Sequence, residues 1–144
     1  MTGIKHGLML LVTGLLIGCH QPPTGGPRLP TSPVTGIVFV DGNPAEMVEV
    51  TCQSDGESSA IKYPLTTTTD KDGKFSLTTY QTGDGLPEGT YVLAFKWLEP
   101  SLVPVDKFKG AYADLKKSTF KVTVIKGQKC DAGTIELSSK GPGK

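Results

Sequence analysis

Met47-Val48-Glu49-Val50-Thr51-Cys52-Gln53 decides the architecture: Val48, Val50 and Cys52 fall on one side of an extended chain and the polar residues on the other. A repeat of two is the period of a strand with one buried face, whereas a helix repeats at 3.6. The alternation recurs outward in both directions. Phe75 and Leu77 alternate with polar neighbours in residues 74–78. Tyr91, Leu93, Phe95 and Trp97 share a face opposite Val92, Ala94 and Lys96, then Phe120, Val122 and Val124 repeat it, and Ile135 and Leu137 close the series. Turn chemistry separates the runs: Asp41-Gly42-Asn43-Pro44, Asp70-Lys71-Asp72-Gly73, Gly83-Asp84-Gly85 and Lys126-Gly127-Gln128. With 34–40 and a threonine-rich stretch at 65–69, the sequence predicts seven strands between Val34 and about Ser138. Gly 18 and Pro 11 are about a fifth of the chain, and helix formers are sparse. The expected fold class is all-β, a sandwich or barrel.

Three of these turns carry a resemblance. Val38-Phe39-Val40-Asp41-Gly42-Asn43-Pro44 followed by a strand looks like the opening of carboxypeptidase regulatory-like domains. Thr69-Asp70-Lys71-Asp72-Gly73-Lys74-Phe75 is similar to their T-D-x-D-G-x-F/Y hairpin, and Leu86-Pro87-Glu88-Gly89-Thr90-Tyr91 to their L-P-x-G-x-Y lead-in to the next strand. The agreement covers roughly 34–98; Tyr112-Ala113-Asp114 and 120–124 resemble a subset found in small bacterial lipoproteins. The resemblance implies a seven-stranded transthyretin-like (prealbumin-like) β-sandwich without catalytic activity of its own. It assigns no role to 54–63 or 99–117, which depart from the pattern. Turn motifs specify fold better than function.

The chain begins with the weakly basic MTGIKH and an apolar run of twelve, GLMLLVTGLLIG, at 7–18. Twelve helical residues span about 18 Å, short of a bilayer core of about 30 Å. A basic start, a short apolar core and a small residue before the cleavage point form an export signal. Leu16-Ile17-Gly18-Cys19 resembles the lipobox of bacterial lipoproteins, in which the cysteine thiol is acylated and becomes the first residue. Two or three palmitate-type chains, at about 0.8 kcal/mol per buried methylene, suffice for stable anchoring. His20, rather than Asp, follows the cysteine, which favours an outer-membrane or cell-surface address. Residues 20–33 (HQPPTGGPRLPTSP) read as a Pro/Gly-rich tether, and 139–144 as a disordered tail.

Loss of Lys5 with the signal leaves 14 bases against 14 acids, no basic excess for nucleic acid. The distribution is uneven: residues 41–106 carry a net −7 and residues 107–129 a net +6. Lys107, Lys109, Lys116, Lys117 and Lys121 either protect a sheet edge or dock on an anionic surface such as acidic glycan or lipid headgroups. Both histidines, His6 and His20, lie in or beside the signal, so the folded part has none. That removes most routes to acid–base or metal catalysis at neutral pH.

Cys52 and Cys130 remain after export, and an even pair in an oxidising compartment is expected to bridge; the alternative is two separate buried thiols. Closing that loop of about 78 residues would contribute about 4.5 kcal/mol by chain entropy. Asp70-Lys71-Asp72-Gly73 fails as an EF-hand, because Lys74 stands at the fifth position and Thr82 at the twelfth. It reads as a hairpin turn, with weak calcium binding by Asp70, Asp72 and a distant Asp84 as the alternative. Tyr91, Phe95 and Trp97 are expected in the core, or else as a carbohydrate-stacking platform with Trp97 emerging at the strand end. No Ser–His–Asp set, zinc cluster or phosphate loop can be assembled, and no cofactor is expected. The residues thus point to a non-catalytic, membrane-anchored structural or binding module meeting an envelope protein or glycan. A small-ligand or carbohydrate carrier and a carboxylate-dependent hydrolase are the alternatives.

Overall fold

The computed structural model describes residues 27–56 and 61–143; the signal segment, Cys19 and most of the tether lie outside the described residues. Among the described residues ten strands follow in order: β1 (Thr31–Ser32), β2 (Val34–Val40), β3 (Asn43–Pro44), β4 (Val48–Ser54), β5 (Leu65–Thr68), β6 (Lys74–Ser76), β7 (Leu86–Pro87), β8 (Gly89–Trp97), β9 (Lys121–Val124) and β10 (Cys130–Leu137). Seven correspond to the expected strands, and the other three are two-residue pieces. One sheet places β2 between β10 and the pair β3 and β6; the other runs β5-β4-β8-β9. All pairings are antiparallel except β10 with β2. The two sheets enclose one core, so the fold is an all-β sandwich.

The period of two is what buries the core. Val34, Val38 and Val40 of β2 meet Val48, Val50 and Cys52 of β4, with Val122, Val124, Ile135 and Leu137 from the later strands. Gly36 is the inward residue without a side chain because Phe75, its cross-strand partner, lies over it; a Cβ there would come within 2.6 Å of the ring. β8 departs from strict alternation. Tyr91 through Phe95 are all buried, since this strand is central in its sheet and residues 115–116 close over Val92 on the outer side.

Buried Thr69 and exposed Asp70 take up backbone groups that the ladders leave unpaired. Buried Thr69 donates from Oγ1 to the Ala45 carbonyl at 2.6 Å and accepts from the Val48 N–H at 2.9 Å. This holds the corner where Met47 adopts a φ of 63°. The Asp70–Gly73 turn forms as expected, with Asp70 Oδ1 accepting from the N–H groups of Asp72 and Lys74, both at 2.9 Å. Gly73 is required there: its φ is 73° and a Cβ would lie 2.4 Å from the Val38 oxygen.

Three expectations need correction. The tether ends before residue 33: β1 pairs with β7, Leu29 N–H donates to Tyr80 Oη, and buried Ser32 Oγ donates to the Ile125 carbonyl and accepts from Gly127 N–H. Flanking prolines limit the strand to two residues without preventing its pairing. The C-terminal residues turn back instead of fraying. Ser139 N–H donates to Asp41 at 3.2 Å, Gly141 N–H to the Ser138 carbonyl at 3.0 Å, and Gly141 is buried. Finally, Cys52 and Cys130 are free thiols, not a disulfide. Cys52 points into the core from β4, whereas Cys130 opens β10 in the other sheet, its Sγ donating to the Thr123 carbonyl at 3.4 Å.

Candidate functional site

The sandwich has two poles. Register puts the starts of β2, β8 and β10 together with β1 and the 125–129 turn at one pole, where the N-terminal segment enters. The ends of β2, β8 and β10 share the other pole with the start of β4. Nine residues of β8 separate them, about 30 Å at about 3.3 Å each.

The principal cleft opens along one side. β9 covers β8 only from Gly89 to Val92. Beyond that, β8 is capped by irregular chain: Leu93 N–H donates to Phe120, Phe95 N–H to Tyr112, both at 2.9 Å, and Lys107 N–H to the Trp97 carbonyl at 2.8 Å. Ser118 Oγ adds a bond to the Leu93 carbonyl. Between this stretch and the end of β10 lies a cleft of about 780 Å³, with the returning C-terminal residues along its rim. Tyr112 and Phe120 line it and belong to a file of aromatic rings that continues behind them: Phe95–Phe120 centroids are 5.2 Å apart edge-on, Phe108–Tyr112 5.0 Å and Trp97–Phe108 5.7 Å. Tyr112 Oη accepts from Ser138 N–H at 3.0 Å and so ties the two walls together.

Three carboxylates stand on this cleft. Hydrogen bonds from Ser139 hold the Asp41 carboxyl below its ordinary range. Asp114 accepts from Lys116 N–H at 2.9 Å and faces Lys117 Nζ at 3.8 Å. The Glu136 carboxylate has no hydrogen-bond or ion-pair partner among the described residues and is the group free to meet a ligand. A second, shallower groove of about 630 Å³ is lined by hydroxyls, among them Thr35, Thr67, Thr68 and Ser76, with Asp131 beside them.

The residues singled out from sequence are dispersed. Lys121 pairs with Asp55 at 2.5 Å, Lys117 with Asp114, and Lys107 Nζ stacks 4.2 Å over the Trp97 ring. Because 107–121 runs the length of the β8 edge, the five lysines form a string and not a patch. Tyr91 and Phe95 are core. Tyr91 Oη donates to the Pro87 carbonyl at 2.9 Å, and burial pushes its pKa up to about 12. Trp97 is covered by Lys107 and Phe108, leaving no open aromatic platform on this strand. Asp84 does not join Asp70 and Asp72: it accepts from the N–H groups of Thr79, Tyr80 and Gln81. Among the described residues no group of three or more His, Cys, Asp or Glu is placed to hold a metal. Burial pushes the Cys52 thiol up to about 11 and raises that of Cys130, so both stay protonated at neutral pH.

No family model and no curated protein matches the chain. Solved structures of similar fold include 5-hydroxyisourate hydrolase from Klebsiella pneumoniae, 20% identical over 76% of this chain and 92% of that one, TM-score 0.43. The major plantain pollen allergen Pla l 1 is 16% identical over 79% and 98%, TM-score 0.42. What the chain's own sheets establish is an all-β sandwich. The dioxygenase domain of a carbohydrate-binding fusion protein from Streptomyces sp. SirexAA-E is 20% identical over 85% and 94%, TM-score 0.39. These matches correct the expectation that the domain is not an enzyme, because similar sandwiches include a hydrolase and a dioxygenase. At such identities the likeness speaks to fold alone and assigns this chain no activity.

Proposed function

We propose that the chain is an exported bacterial lipoprotein, acylated at Cys19, whose carboxypeptidase regulatory-like sandwich is held at the outer membrane or cell surface to bind an envelope protein or glycan. The observation that carries this reading is the way the N-terminal segment joins the domain. β1 is seated at one pole by Ser32, so the fold starts near residue 28 and leaves the side cleft clear of the attachment point. Residues 20–27 would then be the tether, with a reach of about 25 Å as polyproline II. The Asp70–Gly73 hairpin and the Leu86-Pro87 lead-in to β8 support the family part of this reading.

The test is the intact mass of the protein recovered from a membrane fraction. A chain beginning at Cys19 and carrying two or three acyl groups supports the reading; an unacylated chain beginning elsewhere overturns it. Cys19→Ala should release the protein from membranes with the domain folded.

The cleft favours a second reading, a carrier of a small ligand or carbohydrate. It sets Tyr112 and Phe120 beside Glu136, which has no partner among the described residues, the combination of apolar wall and few polar groups common to ligand sites. Native mass spectrometry of gently extracted protein should show a bound adduct that Glu136→Gln weakens. Bare protein throughout would remove the carrier reading.

A further inference from the structure

We propose that the loop of residues 99–106 inserts into the headgroup region of a lipid bilayer, with Leu102, Val103 and Val105 as the inserted side chains. Leu102 is 104% exposed, Val103 74% and Val105 55%, three aliphatic residues within four positions. Their exposure belongs to a built loop. Glu99 N–H donates to the Val105 carbonyl at 2.9 Å, and Leu98 bridges to Asp106. The Asp106 carboxylate accepts from Trp97 N–H at 2.9 Å, Phe108 N–H at 3.0 Å and Gly110 N–H at 2.8 Å. That base holds the apolar tip away from the core.

The tip carries few polar groups that would resist leaving water. Pro100 and Pro104 have no N–H, and Ser101 Oγ donates to the Val103 carbonyl. A protruding tip needs a matching concavity in a protein partner, whereas a bilayer accepts it without shape complementarity. The segments that flank the tip carry Lys107 and Lys109 against Glu46, Glu99 and Asp106, two bases and three acids. Lys107 lies over Trp97, whose Nε1 donates to the Glu46 carbonyl, an arrangement of lysine and indole suited to a membrane interface. With no basic excess beside the tip, insertion is driven by the aliphatic side chains and does not depend on anionic lipid.

The loop sits at the pole opposite residue 28. If Cys19 is acylated as proposed above, the two attachments lay the long axis of the domain along the bilayer. Insertion itself does not rest on that acylation.

The test uses residues 20–144, which retain the whole described core and lack both lipid and signal, in flotation with phosphatidylcholine vesicles with and without phosphatidylglycerol. The protein should float with both, at low and high salt alike. The double variant L102S/V103S should lower partitioning about 100-fold, about tenfold per side chain, with thermal stability unchanged because both side chains are already exposed. Failure to float with either vesicle overturns the proposal. So does flotation that needs phosphatidylglycerol, is lost in salt and is indifferent to L102S/V103S, which would assign binding to the lysines. Self-association in the absence of lipid that L102S/V103S abolishes would assign the tip to a second copy instead.

Discussion

Thr69→Val tests the corner between β3 and β4 directly. Valine keeps the shape of threonine and replaces the hydroxyl with a methyl, so packing at this 3% exposed site changes little. Two hydrogen bonds disappear, leaving the Ala45 carbonyl and the Val48 N–H without their partner. A buried backbone group left unpaired costs about 1–3 kcal/mol, so the pair should cost about 2–6 kcal/mol. Against a typical domain stability of about 5–15 kcal/mol this is a large fraction. At about 4 °C per kcal/mol, the melting temperature should fall by about 8–24 °C. Urea unfolding followed by Trp97 fluorescence should show a lower midpoint with an unchanged slope, since the area exposed on unfolding is the same. Thr69→Ser keeps the hydroxyl and loses one methyl, so it should cost only about 1 kcal/mol. If valine is tolerated to within about 0.5 kcal/mol, or serine is the worse of the two, the hydroxyl does not hold the corner.

Gly85 has a φ of 84°, and a Cβ there would lie 1.7 Å from the Ser32 carbonyl oxygen, so Gly85→Ala should expel β1. Limited proteolysis should then cut after Arg28 much faster; unchanged resistance would refute the close approach. In residues 20–144, which lack Cys19, Cys130 should label with maleimide well before Cys52, and two thiols should react after unfolding without reductant. A single labelling rate, or no free thiol, would contradict the observed positions. Alkaline stability follows from the same burial: the Cys52 thiol rises from 9.0 to about 11, so its contribution is complete below pH 9 and is lost as pH climbs through 11. Cys52 should add up to about 1.4 kcal/mol per pH unit to the slope in that window, and Cys52→Ala should remove that share while Cys130 and Tyr91, also raised by burial, keep theirs.

Alternating residues such as Val48, Val50 and Cys52 made the sandwich legible, because each strand must bury one face and the pattern is local. β1 was hidden: Thr31 and Ser32 sit between prolines in a segment too polar to suggest a fold, and only the distant Ile125–Gly127 turn gives Ser32 its place. The cleft was equally out of reach, since Tyr112, Glu136 and Gly141 meet through tertiary packing alone. Asp84 and Asp106 look like any loop carboxylate until the three N–H groups around each are seen. Parity of cysteines suggested a bridge, but a disulfide needs two Cβ atoms about 4 Å apart, a condition that sequence does not carry. The 107–121 lysines were correctly read as numerous, yet their chain path along β8 spreads them out.

The parallel pairing of β2 with β10 has a mechanical consequence. The N-terminal end of β2 lies at one pole and the C-terminal end of β10 at the other, with six residue pairs between them, two before and four after a register shift at Asp131–Thr134. A pull applied at the two chain ends therefore slides these strands past one another and loads all their hydrogen bonds together. Peeling would break them one at a time. A domain strung between a fixed point at its N-terminus and a load at its C-terminus would resist that load in shear, the stiff direction of a sheet.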